Sequence, residues 1–245
     1  DARSADEDDE FARRLAIVKP DALREYPHLL VLPSGDRNFA VVVLQERPSV
    51  VKIGAATRQL AACLEHLHVV GERIHGDFKP LNAMRMETGE WKLIDLDASA
   101  LIGLEPAGSK YCASRAPLLP APRGFRVNTV SLLLAASAYS PPELAQRLFI
   151  ETDPPPPPLV AHASFDAWGL GVVLFEALAG EILFRRHVSN DNIQDPAEQS
   201  QLCMWRSIDA KLLFKIVGAE PIHEAARNLV AWCLQGDPAD RPTMA

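Results

Sequence analysis

Apolar positions along the 245-residue chain follow two rhythms. Phe11, Leu15 and Val18 recur at i, i+4 and i+7, which predicts a short helix over residues 7–19 that Pro20 ends. Residues 29–32 and 39–44 are short, valine-rich runs on either side of Ser34-Gly35-Asp36, a pattern that predicts a β-hairpin. Leu60, Cys63, Leu64 and Leu67 stripe one face of a helix over about 54–69, closed by Gly71. A strand near 73–75 and another over 91–94 follow. Residues 165–180 are apolar almost all round, with Glu176 the main exception, so this helix belongs in the middle of a core. Residues 211–217 and 223–234 read as further helices, and Asp237-Pro238 starts a last turn. Strands come first and helices dominate later, which makes the fold class α+β with a mostly helical second half.

Two stretches break the periodicity. Residues 95–142 are rich in Gly, Pro and Ser and read as loop. Residues 154–158 are five prolines, stiff and extended. A chain of 26.8 kDa has room for one large domain or two lobes. Its 48% hydrophobic and 23% charged residues exclude a wholly disordered chain. The net charge of −7 argues against a nucleic-acid surface. Six acids against Arg3 in the first ten residues account for much of it and read as a solvated end. Four scattered cysteines suggest neither zinc nor a disulfide framework. No apolar run approaches a membrane span and no leader opens the chain, so no membrane partner and an intracellular, cytoplasmic setting are expected. A chain opening on aspartate is also expected to be a fragment.

The chemistry is concentrated in Ile74-His75-Gly76-Asp77-Phe78-Lys79-Pro80-Leu81-Asn82. Asp77, Lys79 and Asn82 share one loop after a strand, and the run Leu93-Ile94-Asp95 ends a second strand in an acid. Phosphoryl transfer needs this inventory. One carboxylate orients and accepts the proton of a hydroxyl, one cation steadies the γ-phosphate, and an amide oxygen with a second carboxylate holds Mg²⁺.

At these residues the sequence resembles the eukaryotic protein kinases. The loop looks like the kinase catalytic loop, and residues 93–97 look like the strand leading into the metal-binding acid. Tyr139-Ser140-Pro141-Pro142-Glu143 is similar to the end of the activation segment. Phe165-Asp166-Ala167-Trp168-Gly169 looks like the start of the buried central helix. Asp237-Pro238-Ala239-Asp240-Arg241-Pro242-Thr243 resembles the closing motif. The resemblance covers roughly residues 28–245. It implies a small β-rich lobe, of which residues 1–47 would be a remnant, and a mostly helical large lobe over 48–245.

The same resemblance implies roles. Asp77 would be the catalytic base, Lys79 would contact the γ-phosphate in the manner of serine/threonine kinases, and Asn82 and Asp95 would ligate Mg²⁺. Leu44 would guard the adenine pocket, and Gln45, Glu46 and Arg47 would be the hinge that binds ATP. His75 would pack and hydrogen-bond. Asp166 would hold the catalytic loop through its backbone, and Glu143 would pair with Arg241. Glu7 or Glu10 would be the glutamate of the small lobe's helix. The implied reaction moves the γ-phosphate of ATP to a Ser or Thr of a protein substrate.

The departures are specific. A glycine-rich phosphate loop and its clamp lysine are missing from these residues, Gly76 stands where the family has Arg, and Asp97 stands where it has Gly. Weak or absent activity of the chain is therefore expected. A pseudokinase binding module is one alternative, and a small-molecule kinase of the aminoglycoside or choline type is another. The activation segment over 95–143 is long, and residues 115–137 are expected to be an insertion dispensable for the fold.

Overall fold

The computed structural model describes residues 32–104, 107, 137–150, 159–218 and 220–244. The chain divides into two units, residues 1–34 and 35–245. The helix expected over 7–19 with Glu7 and Glu10, the run 29–31, the five prolines, and residues 115–136 of the expected insertion lie outside the described residues.

Residues 39–44, expected as a strand, are helical. Strand β1, Gly35–Asn38, ends at Asn38, whose side chain accepts a hydrogen bond from the Val41 amide at 3.0 Å and caps helix α1, Phe39–Glu46. Three consecutive valines favour a strand locally, but burial decides here. Phe39 and Val42 lie one turn apart and are both buried, and Phe39 meets the Trp91 ring edge-on at 5.2 Å. A strand would have put Phe39 and Val42 on opposite faces. Residues 35–47, expected with the small-lobe remnant, thus belong with the larger unit.

Helix α2, Val50–Val69, begins four residues earlier than its apolar stripe suggests, because Ser49 caps it after Pro48. Ile53, Ala56, Leu60 and Leu64 form its buried face. Two small antiparallel sheets follow. Strands β3, Ala83–Met86, and β4, Trp91–Leu93, join β1 in the order β1-β3-β4, with Met84 opposite Lys92. Strands β2, Arg73–Ile74, and β5, Ala100–Leu101, form the other pair. Together they clamp residues 75–82 between β2 and β3.

Helix α3, Pro142–Phe149, precedes the central helix α4, Ser164–Ala179, whose first twelve residues are all buried. An apolar surface on every side requires neighbours on every side. Helix α2 packs on one flank and helix α7, Glu224–Cys233, on another. Gly171 permits the close approach to α7, since a Cβ there would lie 2.6 Å from that of Cys233. Trp205 stacks edge-on against both Trp168 and Phe184. Helices α5, Pro196–Cys203, and α6, Ala210–Val217, complete the helical part. Ser137, the last residue of the expected insertion, is buried and donates structure: its hydroxyl accepts from the Tyr139 amide and it bridges to Asn192.

Candidate active site

The loop of residues 75–82 is held from below by one buried acid. Asp166, in the first turn of α4, accepts the amides of His75 at 2.7 Å and Gly76 at 2.9 Å, and also pairs with His68 Nε2 at 2.7 Å. A carboxylate taking two backbone N–H groups fixes the loop's path without using a side chain of the loop. His75 is fully buried. Its Nε2 lies 3.0 Å from the Ile94 carbonyl and its Nδ1 accepts the Asp77 amide, so these bonds select the Nε2–H tautomer.

Gly76 turns the chain with φ of 78°. The next side chain, Asp77, is 5% exposed and faces Lys79, with Oδ2 to Nζ at 3.0 Å. Asn82 closes the loop. Its side-chain amide donates to the Asp77 carbonyl at 2.9 Å, and its own carbonyl accepts the Ile94 amide at 3.0 Å. The second bond ties the loop to the end of β4, one residue before Asp95. Asp95 has φ of 62°, and the Asp95-Leu96-Asp97 turn is exposed.

Asp77, Lys79, Asn82 and Asp95 thus lie on one bonded framework. Asn82 spends its amide nitrogen on Asp77, which leaves its oxygen as the end able to act as a ligand. That oxygen and the Asp95 carboxylate are hard donors of the kind magnesium prefers. Among the described residues no cluster of three or more His, Cys, Asp or Glu could hold a metal.

Leu44, Gln45, Glu46 and Arg47 do not form a hinge, and this corrects the expectation for all four. A hinge needs extended backbone whose edge groups reach a ligand. Here Leu44, Gln45 and Glu46 are in α1, and Arg47 caps it with φ of 46° and its amide on the Val43 carbonyl. Leu44 is 77% exposed. Glu46 is bound to the Arg85 guanidinium at 2.6 and 3.0 Å and to Arg37 at 3.2 Å. The Arg85 hydrogen bonds hold its carboxyl below the usual range.

The acid and base of the other end of the fold do meet. Arg241 forms a two-pronged pair with Glu143 at 2.8 and 2.7 Å, and its remaining donors reach the carbonyls of Ser164, Gly236 and Gln235. Its side chain is 0% exposed, and its guanidinium lies 5.1 Å from the Trp168 ring centre.

One cluster has no counterpart in the sequence reading beyond the oddity of Glu176. Tyr139 donates to Glu176 at 2.9 Å, Arg186 pairs with the same carboxylate, and the Arg186 guanidinium lies 4.9 Å over the Tyr139 ring. Burial first, then the Glu176 charge, push the Tyr139 phenol far above its ordinary range. With Leu44, Pro80, Leu81 and Asp191 these residues line a cavity of about 530 Å³ beside the loop of residues 75–82. The signal available beforehand was a lone acid in an apolar helix, which demands a partner.

The family model of the protein kinase domain matches residues 35–245. A serine/threonine-protein kinase of Arabidopsis thaliana, the chloroplastic STN8, is 27% identical over 160 residues. That alignment covers 61% of this chain and 28% of the relative, so the chain spans under a third of that protein's length. With the match over residues 35–245, the loop pinned by Asp166 and the Glu143–Arg241 pair have a family: this chain belongs to the protein kinases.

Proposed function

We propose that the chain carries the catalytic centre of a protein serine/threonine kinase, which moves the γ-phosphate of ATP to a protein hydroxyl. The observation that carries this reading is the Asp77–Lys79 pair at 3.0 Å in a loop held by Asp166. Asp77 accepts a hydrogen bond from the substrate hydroxyl, aims its oxygen and takes its proton. Lys79 neutralises charge on the phosphoryl group as it leaves, and its pairing with Asp77 sets the two groups at a fixed distance. Asn82 and Asp95 would hold magnesium, which when bound would supply positive charge beside the phosphates. Leu81, Leu93 and Ile94 are apolar neighbours that would pack the floor of the nucleotide site.

Serine and threonine specificity is favoured by Lys79, two residues after the base, and by the name of the Arabidopsis relative. An intracellular setting is part of the proposal; among the described residues no helix is long and apolar enough to cross a membrane. Transfer from labelled ATP to mixed protein substrates by an N-terminally extended form of the protein, followed by phosphoamino-acid analysis, tests the reading. Label on serine and threonine, abolished in Asp77→Asn, is the expected result. Label on a small alcohol or aminoglycoside with none on protein would overturn it.

A further inference from the structure

The loop joining α4 to α5 reaches back into the catalytic loop through one side chain. Asp191 places Oδ2 3.7 Å from Lys79 Nζ, and its other oxygen lies 3.5 Å from Arg186 Nε. Arg186 is itself anchored on Glu176 of α4. The three side chains are only 16–18% exposed, so their charges act on each other with little screening.

The backbone is built around this placement. Asp191 sits at φ of 58°, a conformation that favours Gly, Asn and Asp. It is held there by its amide on the His187 carbonyl at 3.0 Å and by its carbonyl, which accepts the Ala138 amide at 2.9 Å. An acid, rather than the better tolerated glycine, stands where its carboxylate reaches Lys79. Lys79 is thereby shared between two carboxylates 114 positions apart, Asp77 at 3.0 Å and Asp191 at 3.7 Å.

We infer that Asp191 is a positioning residue for Lys79, held in place by Arg186. It acts as a second anchor that keeps the ammonium on the Asp77 side of the loop, and it ties the segment Ser137–Tyr139 to the same cation. This rests on the proposal that Lys79 is the phosphate-facing cation, but the contact itself can be read without any phosphoryl transfer.

The experiment is brief treatment of the folded 245-residue chain with acetic anhydride, with acetylation of each lysine followed by mass spectrometry. Asp191→Asn and Asp191→Gly both suit the left-handed backbone, so either variant keeps the test alive if the other folds poorly. Each removes the second of the two carboxylates that hold the Lys79 side chain in place, leaving it freer to swing out and meet the reagent. The expected result is Lys79 acetylation at least threefold faster in both, with the exposed Lys52, Lys211 and Lys215 unchanged. Asp195→Asn, which alters an acid that caps α5 nearby, is expected to leave Lys79 at the wild-type rate. Unchanged Lys79 reactivity in the Asp191 variants, or an equal rise in Asp195→Asn, would overturn the inference. Failure of the kinase reading would show separately, as transfer that survives Asp77→Asn.

Discussion

A Cβ on Gly76 would lie 2.4 Å from the carbonyl oxygen of Ala98. That carbonyl is backbone just after the Asp95–Asp97 turn, so it cannot swing away, and the φ of 78° at Gly76 adds strain for any side chain. Gly76→Ala is expected to cost about 1–3 kcal/mol. Gly76→Arg, which restores the residue usual in the family, is expected to cost at least as much. Urea unfolding midpoints check both; a variant as stable as the parent would mean the loop repacks freely.

The same position bears on regulation. Kinases switched by activation-loop phosphorylation pair the phosphate with a cation beside the catalytic acid. Gly76 offers none. Phosphatase treatment of the active protein is expected to leave its transfer rate within about twofold. Silencing by phosphatase would count against this.

Asp77→Asn keeps shape but removes the carboxylate charge facing Lys79. Transfer by the full-length protein is expected to fall by about 100-fold or more with the melting curve preserved. Rates within a few-fold of the parent would take the role of base away from Asp77.

Glu143→Ala strands the Arg241 guanidinium in a site with 0% exposure. Breaking a buried pair by removing one partner costs about 3–5 kcal/mol, and that loss is expected here. Denaturant unfolding reads it directly. Replacing both partners with apolar residues is expected to recover part of the loss, since no unpaired charge then remains.

Alkaline stability has a named source. Burial pushes the Cys233 thiol from an ordinary 9.0 up to about 12. The folded state therefore holds the proton more tightly than the unfolded one. The contribution is intact below pH 9 and is lost as pH rises from 9 towards 12, with a slope of about 1.4 kcal/mol per pH unit. Cys233→Ala is expected to remove about 1 kcal/mol of the stability lost between pH 9 and 10, where the unfolded thiol is only partly ionised, as read from urea unfolding at the two pH values. An identical slope in parent and variant would assign the alkaline loss elsewhere.

What the sequence determined by itself is what depends on neighbours along the chain. Helix α4 was legible because sixteen residues carrying only two acids, one of them in the first turn, have only one place to go. Helices α6 and α7 followed from their apolar stripes. The spacing of Asp77, Lys79 and Asn82 put three functional groups in one loop, because a strand before and a short turn after leave them no other path. Tertiary structure decided the rest. The three valines of α1 carry a strand preference of a fraction of a kcal/mol each, and the burial of Phe39 and Val42 against Trp91 outweighs it. That one reversal displaced Leu44, Gln45, Glu46 and Arg47 from the hinge they were expected to form. Asp191 was illegible for a different reason: its partner Lys79 is far along the chain, and no periodicity encodes a contact that exists only after α4 has folded back over the catalytic loop.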